Sequence, residues 1–176
     1  CQHAKVNHEI IEFAENENPS AKVIAEKLDE DLAITHVAMV HSQTTSGILN
    51  DIASVAKVVK ERNKIFIVDA MSSFGGVDIE VGKLGIDFII SSANKCIQGV
   101  PGFSFIIANK QLLIASKDKA RSLSLDLYDQ WETMNKDGKW RFTSPTHVVL
   151  AFSKAIDELL EEGGIEKRSE RYYTNN

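Results

Sequence analysis

Lys95 is an amine in a stretch whose neighbouring side chains are almost all small or apolar. It follows an apolar run, 88–90, and three small residues, 91–93, and it precedes a turn with glycines and a proline, 99–102. Taken alone, a lysine in a loop is usually a solvated surface group. A lysine that is partly buried near positive charge has a lowered pKa and becomes a nucleophile that forms a Schiff base with a carbonyl.

Asp69 places a carboxylate at the end of a second apolar run, 64–70, and a helical pattern separates it from Lys95. An isolated aspartate at a strand end most often caps a turn or a helix start. Beside a Schiff-base lysine, its role would be to hold a proton on the pyridine nitrogen of pyridoxal phosphate, so that the ring accepts electrons. The pairing of Lys95 with Asp69 on neighbouring strand ends is what favours this second interpretation.

The elements that must position these residues alternate between strands and helices. Strand patterns lie at 34–41, 64–70, 86–90 and 103–108, with a weaker one at 6–13, and helical patterns lie at 19–31, 50–63, 79–84 and 144–164. We expect 34–41 to be a buried strand. Strands separated by helices of this length predict an α/β fold, a mostly parallel sheet with helices on both faces. Ligands bind outside the carboxyl ends of such strands, which selects the loops after Val40, Val68 and Ile90.

Cap residues predict where two of the helices begin and end. Asn50 is the expected N-cap of the helix in 50–63. Ser144 is the expected N-cap of the last helical pattern, with Pro145 at its first position and Gly163 as its stop.

Composition excludes several classes of function. The 176 residues carry a formal charge of −5 with scattered basic residues, so neither nucleic acid nor an anionic membrane is an expected partner. No apolar run is long enough to span a bilayer. The five histidines and two cysteines lack metal-ligand spacing, so we expect no metal. Cysteine usage of this kind fits a reducing compartment, and we expect a cytoplasmic protein.

Short motifs of other enzyme classes are missing from the sequence. It contains no GxGxxG, no GxxxxGK[ST] and no GxSxG, which removes local support for dinucleotide-binding, P-loop and hydrolase interpretations. Cys96, next to Lys95, is interpreted as a small packing residue rather than a nucleophile, and His41 as a residue that packs or hydrogen-bonds at a strand end.

Four stretches of the chain resemble a known family. They are "VDAMSSFGG…GIDFIISSANKCIQGVPGF", "THVAMVHSQTTSGILN", "ARSLSLDLYDQW" and "KWRFTSPTHVV". These stretches are similar to the class V aminotransferases, a branch of the fold type I pyridoxal phosphate enzymes. Their residue sequences most resemble those of the 2-aminoethylphosphonate–pyruvate aminotransferases. The resemblance covers residues 31–170 and implies the large, cofactor-binding domain of that fold.

The resemblance also implies an activity. Pyridoxal phosphate would be the cofactor, and the amino group of 2-aminoethylphosphonate would pass to pyruvate, giving phosphonoacetaldehyde and alanine. The enzyme would be a homodimer. The alternatives are another class V enzyme, of the alanine– or serine–glyoxylate type, and a catalytically incompetent fragment that acts only as a binding domain.

The resemblance assigns roles to individual residues. Lys95 would bind the cofactor covalently, and Asp69 would pair with its pyridine nitrogen; these two are the implied catalytic residues. Thr44 would lie beside the ring and its phenolic oxygen. The remaining cofactor-binding residues implied are Ser92, Asn94 and Thr143, with Ser92 the better candidate for a phosphate contact and Thr143 reaching the phosphate of the neighbouring subunit.

The chain also departs from the family. The family's N-terminal phosphate-binding loop and its C-terminal small domain, with a substrate-gripping arginine, have no counterpart here. We therefore expect residues 1–176 to be a partial large domain that is inactive alone. Gln43 stands where relatives usually have Glu, and Asp51 where they usually have Pro. Arg121 and Arg141 are available to the phosphonate, although surface pairing is the more frequent role of such arginines.

Overall fold

Four strands form one sheet. The computed structural model describes residues 5–175. The strands are β1 (His36–Val40), β2 (Ile65–Asp69), β3 (Phe88–Ser92) and β4 (Ser104–Ala108), in the spatial order β1-β2-β3-β4. The β1/β2 and β2/β3 pairs are both parallel, with Val40 opposite Asp69 and Asp69 opposite Ile90. The predicted mostly parallel sheet is thus confirmed, and its first three strands end at one edge.

Seven helices occur in the described part of the chain: α1 (Ala21–Glu30), α2 (Ile52–Glu61), α3 (Val81–Leu84), α4 (Lys110–Ala115), α5 (Leu127–Asp137), α6 (Thr146–Glu162) and α7 (Gly164–Thr174). Helix α2 packs against β2 and α1. The residues with no exposed surface include Val55 and Val59 of α2 and Phe66 and Val68 of β2. The apolar side chains at helical spacing on α2 therefore meet those at strand spacing on β2, and this contact is the centre of the core.

The chain divides into two compact units, and the candidate site belongs to the larger one. The larger unit comprises Phe13–Ile107 and Pro145–Asn176, and it holds most of the sheet together with α1, α2, α3, α6 and α7. The smaller unit comprises Cys1–Glu12 and Ala108–Ser144, with α4 and α5. The expectation of one partial domain over 1–176 stays a prediction.

The last two helices follow each other directly. Gly163 ends α6 with φ 106°, in the left-handed region that favours glycine, and its N–H donates to the carbonyls of Leu159 and Leu160. The predicted stop at Gly163 is therefore confirmed. Because Gly164 also has positive φ, α7 starts in a new direction without a connecting loop.

Two strand predictions need correction. Residues 6–13 form no strand; Ile10 is 70% exposed, and the charged residues among them leave no continuous apolar face to pair or bury. Strand β1 was expected to be buried, but its residues alternate between exposed and half-buried. It is an edge strand of the four-stranded sheet, with β2 as its one neighbour among the described strands, so less of its surface is covered.

Two cap predictions also need correction. The N-cap of α2 is Asp51, whose carboxylate accepts the N–H of Ser54 at 3.0 Å, while Asn50 is buried and donates its Nδ2 to the Val40 carbonyl at 2.8 Å. Helix α6 begins at Thr146 with Pro145 as its N-cap, one residue later than predicted from Ser144. In each case the helix begins one position further along than the local pattern predicts; at α2 the reason is that the Asn50 side chain is bound to the Val40 carbonyl.

Within residues 5–175, no helix combines the length and the apolar character needed to cross a membrane.

The buried side chain of Asp87 links Lys60 of α2 to Phe66 of β2. This aspartate is 5% exposed, and its Oδ2 accepts from Lys60 Nζ at 2.7 Å and from the Phe66 N–H at 2.8 Å. A buried carboxylate is tolerated only when it is paired and hydrogen-bonded, and both conditions are met here.

We predict that Asp87→Asn lowers the free energy of unfolding by about 2–3 kcal/mol, because Lys60 then lies beside a partner without charge. Urea denaturation monitored by circular dichroism measures the change. Asp157→Asn, at an exposed position of α6, is the matched control and should change stability by less than about 0.5 kcal/mol. Equal effects of the two substitutions would show that the buried pair contributes nothing specific.

Candidate active site

A cleft of about 490 Å³ opens at the carboxyl ends of β1 and β2. Its walls come from the last residues of these strands and from the loops that follow β1, β2 and β3. The lining residues are Val40, Ser42, Gln43, Thr44, Thr45, Asp69, Met71, Ser72 and Lys95. The structure therefore brings together Lys95, Asp69 and Thr44, three of the residues singled out from the sequence.

Asp69 is the last residue of β2 and is half-buried. Its Oδ1 accepts the N–H of Met71 at 2.9 Å, which is the turn-forming contact expected of an aspartate at a strand end. Its Oδ2 has no hydrogen-bond partner among the described residues. One carboxylate oxygen thus stabilises the turn after β2, and the other is available to a ligand in the cleft.

Lys95 lies in the loop after β3 with its side chain exposed. Its amine makes no hydrogen bond or ion pair with other residues in the described range. The loop itself is tightly folded: Gln98 donates its N–H to the Lys95 carbonyl at 2.7 Å, and Gly99 donates to the Ala93 carbonyl at 2.8 Å. The backbone around the lysine is therefore fixed while its amine stays free to react.

Thr44 belongs to the loop after β1. Its Oγ1 is 3.3 Å from Ser72 Oγ, so two hydroxyls from different loops lie side by side at the cleft. The loop closes on itself, because Gln43 donates to the Ile48 carbonyl at 2.9 Å and accepts from the Gly47 N–H at 3.0 Å. Gln43 lines the cleft as a neutral amide, in the position where the resemblance leads one to expect a carboxylate.

His41 and Ser73 form a buried hydrogen bond beneath the cleft. The histidine is 4% exposed, and its Nδ1 is 2.9 Å from Ser73 Oγ. Burial lowers the pKa of His41, so the imidazole is neutral and the pair carries no charge. The His41 N–H also donates to the Asp69 carbonyl at 2.8 Å. The prediction that His41 hydrogen-bonds at a strand end is confirmed, and its contacts hold the loop after β1 against the turn after β2.

Three further predicted residues lie outside the cleft lining. Ser92 is the last residue of β3; its Oγ is buried without a hydrogen-bond partner in residues 5–175, which is a costly state for a hydroxyl. Asn94 is exposed and does not line the cleft. Thr143 is exposed and belongs to the smaller unit, and its contact with a neighbouring subunit stays a prediction.

Cys96 is a half-buried thiol whose Sγ lies 3.3 Å from the Ser72 carbonyl. Burial is the main cause of a raised pKa at this thiol, which keeps it protonated and unreactive. These contacts support the interpretation of Cys96 as a packing residue.

The two arginines considered for substrate binding are both engaged within the smaller unit. Arg141 pairs with Asp129 at 2.9 Å and donates to the Leu123 carbonyl at 2.6 Å, as expected for surface pairing. Arg121 donates to the carbonyl of Lys5. No group of histidine, cysteine or acidic side chains in residues 5–175 is arranged to hold a metal ion.

One important residue was missed in the sequence. Arg168 of α7 donates to the carbonyls of Cys96 and Ile97, directly after Lys95. It lies in the charged run 166–171, where nothing in the pattern distinguishes it from solvated neighbours. Only the folded structure shows that this guanidinium is buried.

Comparison with known proteins identifies the family. The sequence profile of the Aminotransferase class-V family matches residues 1–174, so the chain belongs to this family. Membership of the class V aminotransferases implies pyridoxal phosphate as the cofactor, and the resemblance noted in the sequence is confirmed.

Curated relatives narrow the similarity further. The chain is 57% identical over 176 residues to the 2-aminoethylphosphonate–pyruvate transaminase of Bacteroides fragilis (strain YCH46), which covers 99% of the chain and 49% of the relative. It is 60% identical over 161 residues to the transaminase of the same name from Lysinibacillus sphaericus (strain C3-41), covering 92% of the chain and 44% of the relative. The chain thus spans about half the length of the curated relatives it matches.

Solved structures confirm the fold. The pyridoxamine–pyruvate aminotransferase from Mesorhizobium loti superposes with a TM-score of 0.82 at 27% identity, over 92% of this chain and 42% of the other. The described architecture is therefore that of the fold type I aminotransferases.

The Lys95 loop depends on a close backbone approach at Gly99. A Cβ added there would lie 2.6 Å from the Ala93 carbonyl oxygen, closer than the atoms can approach. We predict that Gly99→Ala opens this turn and lowers the free energy of unfolding by about 1–3 kcal/mol. Chemical denaturation measures the loss.

Gly82→Ala is the control for this prediction. Gly82 lies inside α3, and a Cβ there meets no atom within 4 Å. Alanine should stabilise the helix by roughly 0.5–1 kcal/mol. A Gly99→Ala protein as stable as the Gly82→Ala protein would show that the loop tolerates a different path.

Proposed function

We propose that this chain is the cofactor-binding part of an aminotransferase that moves the amino group of 2-aminoethylphosphonate to pyruvate, giving phosphonoacetaldehyde and alanine. One observation carries the proposal: Lys95 and Asp69 line one cleft in a chain that is 57–60% identical to transaminases of that name.

The residues of the cleft fit pyridoxal phosphate group by group. The cofactor presents an aldehyde, a ring nitrogen, a phenolic oxygen and a phosphate. Lys95 offers an amine for the aldehyde, and the unpartnered Oδ2 of Asp69 offers a carboxylate for the protonated ring nitrogen. The Thr44 and Ser72 hydroxyls are donors for the phenolic oxygen. Outside the cleft lining, the buried Ser92 hydroxyl, which lacks a hydrogen-bond partner among the described residues, would be a donor for the phosphate.

The volume of the cleft also suits a ligand of this size. Pockets for small molecules and cofactors are ~300–1,000 Å³, and the cleft holds about 490 Å³. Its lining is rich in hydroxyl and amide groups, which orient a polar cofactor instead of merely enclosing an apolar one.

The chemistry divides between the cofactor and the chain. When bound, pyridoxal phosphate supplies an electron sink for the negative charge that develops on the substrate carbon. Lys95 Nζ would hold the cofactor at its aldehyde and, as a free amine, would act as the general base that accepts the proton from the carbon next to the substrate nitrogen. Asp69 would keep the ring nitrogen protonated, because a carboxylate beside it favours the positively charged form.

The substrate's phosphonate requires cations that this cleft lacks. Among the cleft-lining residues, Lys95 is the one cationic side chain, and the proposed chemistry uses its amine. Arg141 is already paired with Asp129. We therefore place the phosphonate-binding cations outside the cleft residues described here.

The proposal includes a homodimer and a cytoplasmic location. The homodimer is supported by the resemblance around Thr143, and the location by a cysteine usage that fits a reducing compartment.

A chimaera tests the reaction directly. In it, this chain replaces the matching half of the Bacteroides fragilis transaminase, to which it is 57% identical. We expect the chimaera to convert 2-aminoethylphosphonate and pyruvate, and to leave serine and glyoxylate unreacted. Activity with serine and glyoxylate alone would assign the chain to a different class V reaction, and a folded but inactive chimaera would support the interpretation as a binding domain.

We predict that Lys95→Ala in the chimaera abolishes the visible absorbance of covalently held pyridoxal phosphate, because the amine that holds it is gone. Borohydride reduction followed by peptide mass mapping checks the result. Lys57→Ala, at an exposed position of α2, is the control and should keep both signals. A reducible adduct that survives in the Lys95→Ala protein would refute the assignment.

We predict that Asp69→Asn in the chimaera retains the cofactor but lowers kcat by about 10²-fold or more, since the ring nitrogen loses the charge that keeps it protonated. Steady-state kinetics measure kcat, and absorbance measures the bound cofactor. The amide Oδ1 of asparagine can still accept the Met71 N–H, so the turn is preserved. Near-normal turnover would remove Asp69 from the mechanism.

A further inference from the structure

Arg168 is an almost fully buried guanidinium, 2% exposed. Arginine is seldom buried to this degree unless its charge is paired and its donors are occupied. Both conditions hold here. Its Nε and Nη2 donate to Glu162 Oε2 at 2.9 and 2.7 Å, and its Nη1 donates to the Cys96 and Ile97 carbonyls at 2.9 and 3.2 Å.

These contacts join two distant parts of the chain. Glu162 is the last residue of α6, whereas Cys96 and Ile97 belong to the loop of Lys95. The two loop carbonyls lie outside regular structure and need a donor from elsewhere. The planar fork of a guanidinium can meet the carboxylate on one side and the carbonyls on the other, which a lysine amine cannot do with the same geometry.

Glu162 anchors the guanidinium. Its Oε1 and Oε2 also accept from Arg171 at 2.7 and 3.2 Å, so two guanidiniums share one carboxylate. Hydrogen bonds from Arg171 and Arg168 hold the pKa of Glu162 at about 2. The anchor therefore stays charged in all but strongly acidic solution, and the excess positive charge is met by the loop carbonyls.

Helix α7 makes a second set of contacts with the same loop. Gln98 has a positive φ of 64°, an unfavourable conformation for a residue with a side chain. Its Nε2 donates to Tyr172 Oη at 3.0 Å. At Gly76, an added Cβ would lie 2.7 Å from Cys96 Sγ and 2.8 Å from Tyr172 Cε2, so α7, the lysine loop and the turn after β2 are in close contact.

We propose that Arg168 is a positioning residue for Lys95. It acts through the Cys96 and Ile97 carbonyls, and it holds the loop so that the Lys95 amine stays at the cleft shared with Asp69. The exposed side chain of Lys95 has no hydrogen-bond or ion-pair partner in the part of the chain that the structure describes, so its position is set by the backbone that carries it. The inference rests on the proposed function insofar as Lys95 is the residue that receives the cofactor.

Amide hydrogen exchange of the 176-residue chain tests the positioning without any cofactor. In Arg168→Met, the Gln98 and Gly99 N–H groups, which close the lysine loop, should exchange at least about tenfold faster, the factor expected for losing charge-assisted hydrogen bonds. The Phe66 and Val68 N–H groups of the sheet should change much less. Unchanged exchange at Gln98 and Gly99 would overturn the proposal.

Reaction of Lys95 with pyridoxal phosphate is the second readout. The chain is incubated with the cofactor, reduced with borohydride and mapped by mass spectrometry, and labelling at Lys95 is divided by labelling at the exposed Lys57. We expect this ratio to fall at least about tenfold in Arg168→Met, because a displaced amine no longer meets the aldehyde beside Asp69. Faster exchange with an unchanged ratio would make Arg168 a stabilising residue only and would also overturn the proposal.

Two variants act as controls. Arg168→Lys keeps the charge without the fork, so its labelling ratio should lie between wild type and Arg168→Met; it also serves if Arg168→Met fails to fold. Arg62→Met removes a more exposed arginine–carboxylate pair, in which Arg62 donates to both carboxylate oxygens of Asp29 at 2.7 Å, and should leave the ratio and the loop exchange unchanged. A lowered ratio in Arg62→Met would trace the effect to general destabilisation and overturn the proposal.

The experiments distinguish a failure of the proposed function from a failure of the positioning role of Arg168. If the wild-type chain shows no adduct at Lys95, the result counts against the proposed function, while hydrogen exchange still decides whether Arg168 holds the loop.

Discussion

The parallel register of β1, β2 and β3 is the constraint on which the site depends. Backbone pairing sets Val40 opposite Asp69 and Asp69 opposite Ile90, so the loops that follow these residues leave the sheet at the same edge. The pairing continues past the strands, since the His41 N–H donates to the Asp69 carbonyl and the Ala70 N–H to the Ile90 carbonyl. An antiparallel pair would send neighbouring loops to opposite edges, and Asp69 and Lys95 would not share a cleft.

The side chains available to react or bind a ligand are carried by a buried backbone. Lys95 and Thr44 are exposed, whereas Ala70 and Ala93, at the bases of their turns, have no exposed surface. The neutral His41–Ser73 hydrogen bond lies between the loops and is sealed from water. This arrangement separates two tasks: buried backbone and uncharged contacts fix the geometry, and exposed side chains remain available to a ligand.

Long-range contacts also hold this backbone in place. The bond between Arg168 and the Cys96 carbonyl joins residues that are 72 positions apart. Burying the Arg168 guanidinium is costly, but once it is buried it tolerates few alternative geometries, because each of its donors must stay satisfied. Through Arg168, the cluster around Glu162 holds the lysine loop with contacts that come from the far end of the chain. Helix α7 is therefore part of the support of the site.

The sequence by itself determined the α/β class, the order of the strands along the chain and the placement of Lys95 and Asp69 after strands that end at one edge of the sheet. Apolar periodicity predicts which segments form strands and helices, and the carboxyl ends of parallel strands then lie at the same edge. Thr44 came from the resemblance to the class V aminotransferases, not from this pattern. Sequence patterns were wrong about the cap at Asn50, the burial of 34–41 and the strand at 6–13, where neighbours in space outweigh local preference. Only the tertiary structure decided the burial of Arg168 and that of the Ser92 hydroxyl, which has no partner among the described residues. Hydrogen bonds between residues far apart in the chain depend on how the elements pack, and no local pattern records that packing.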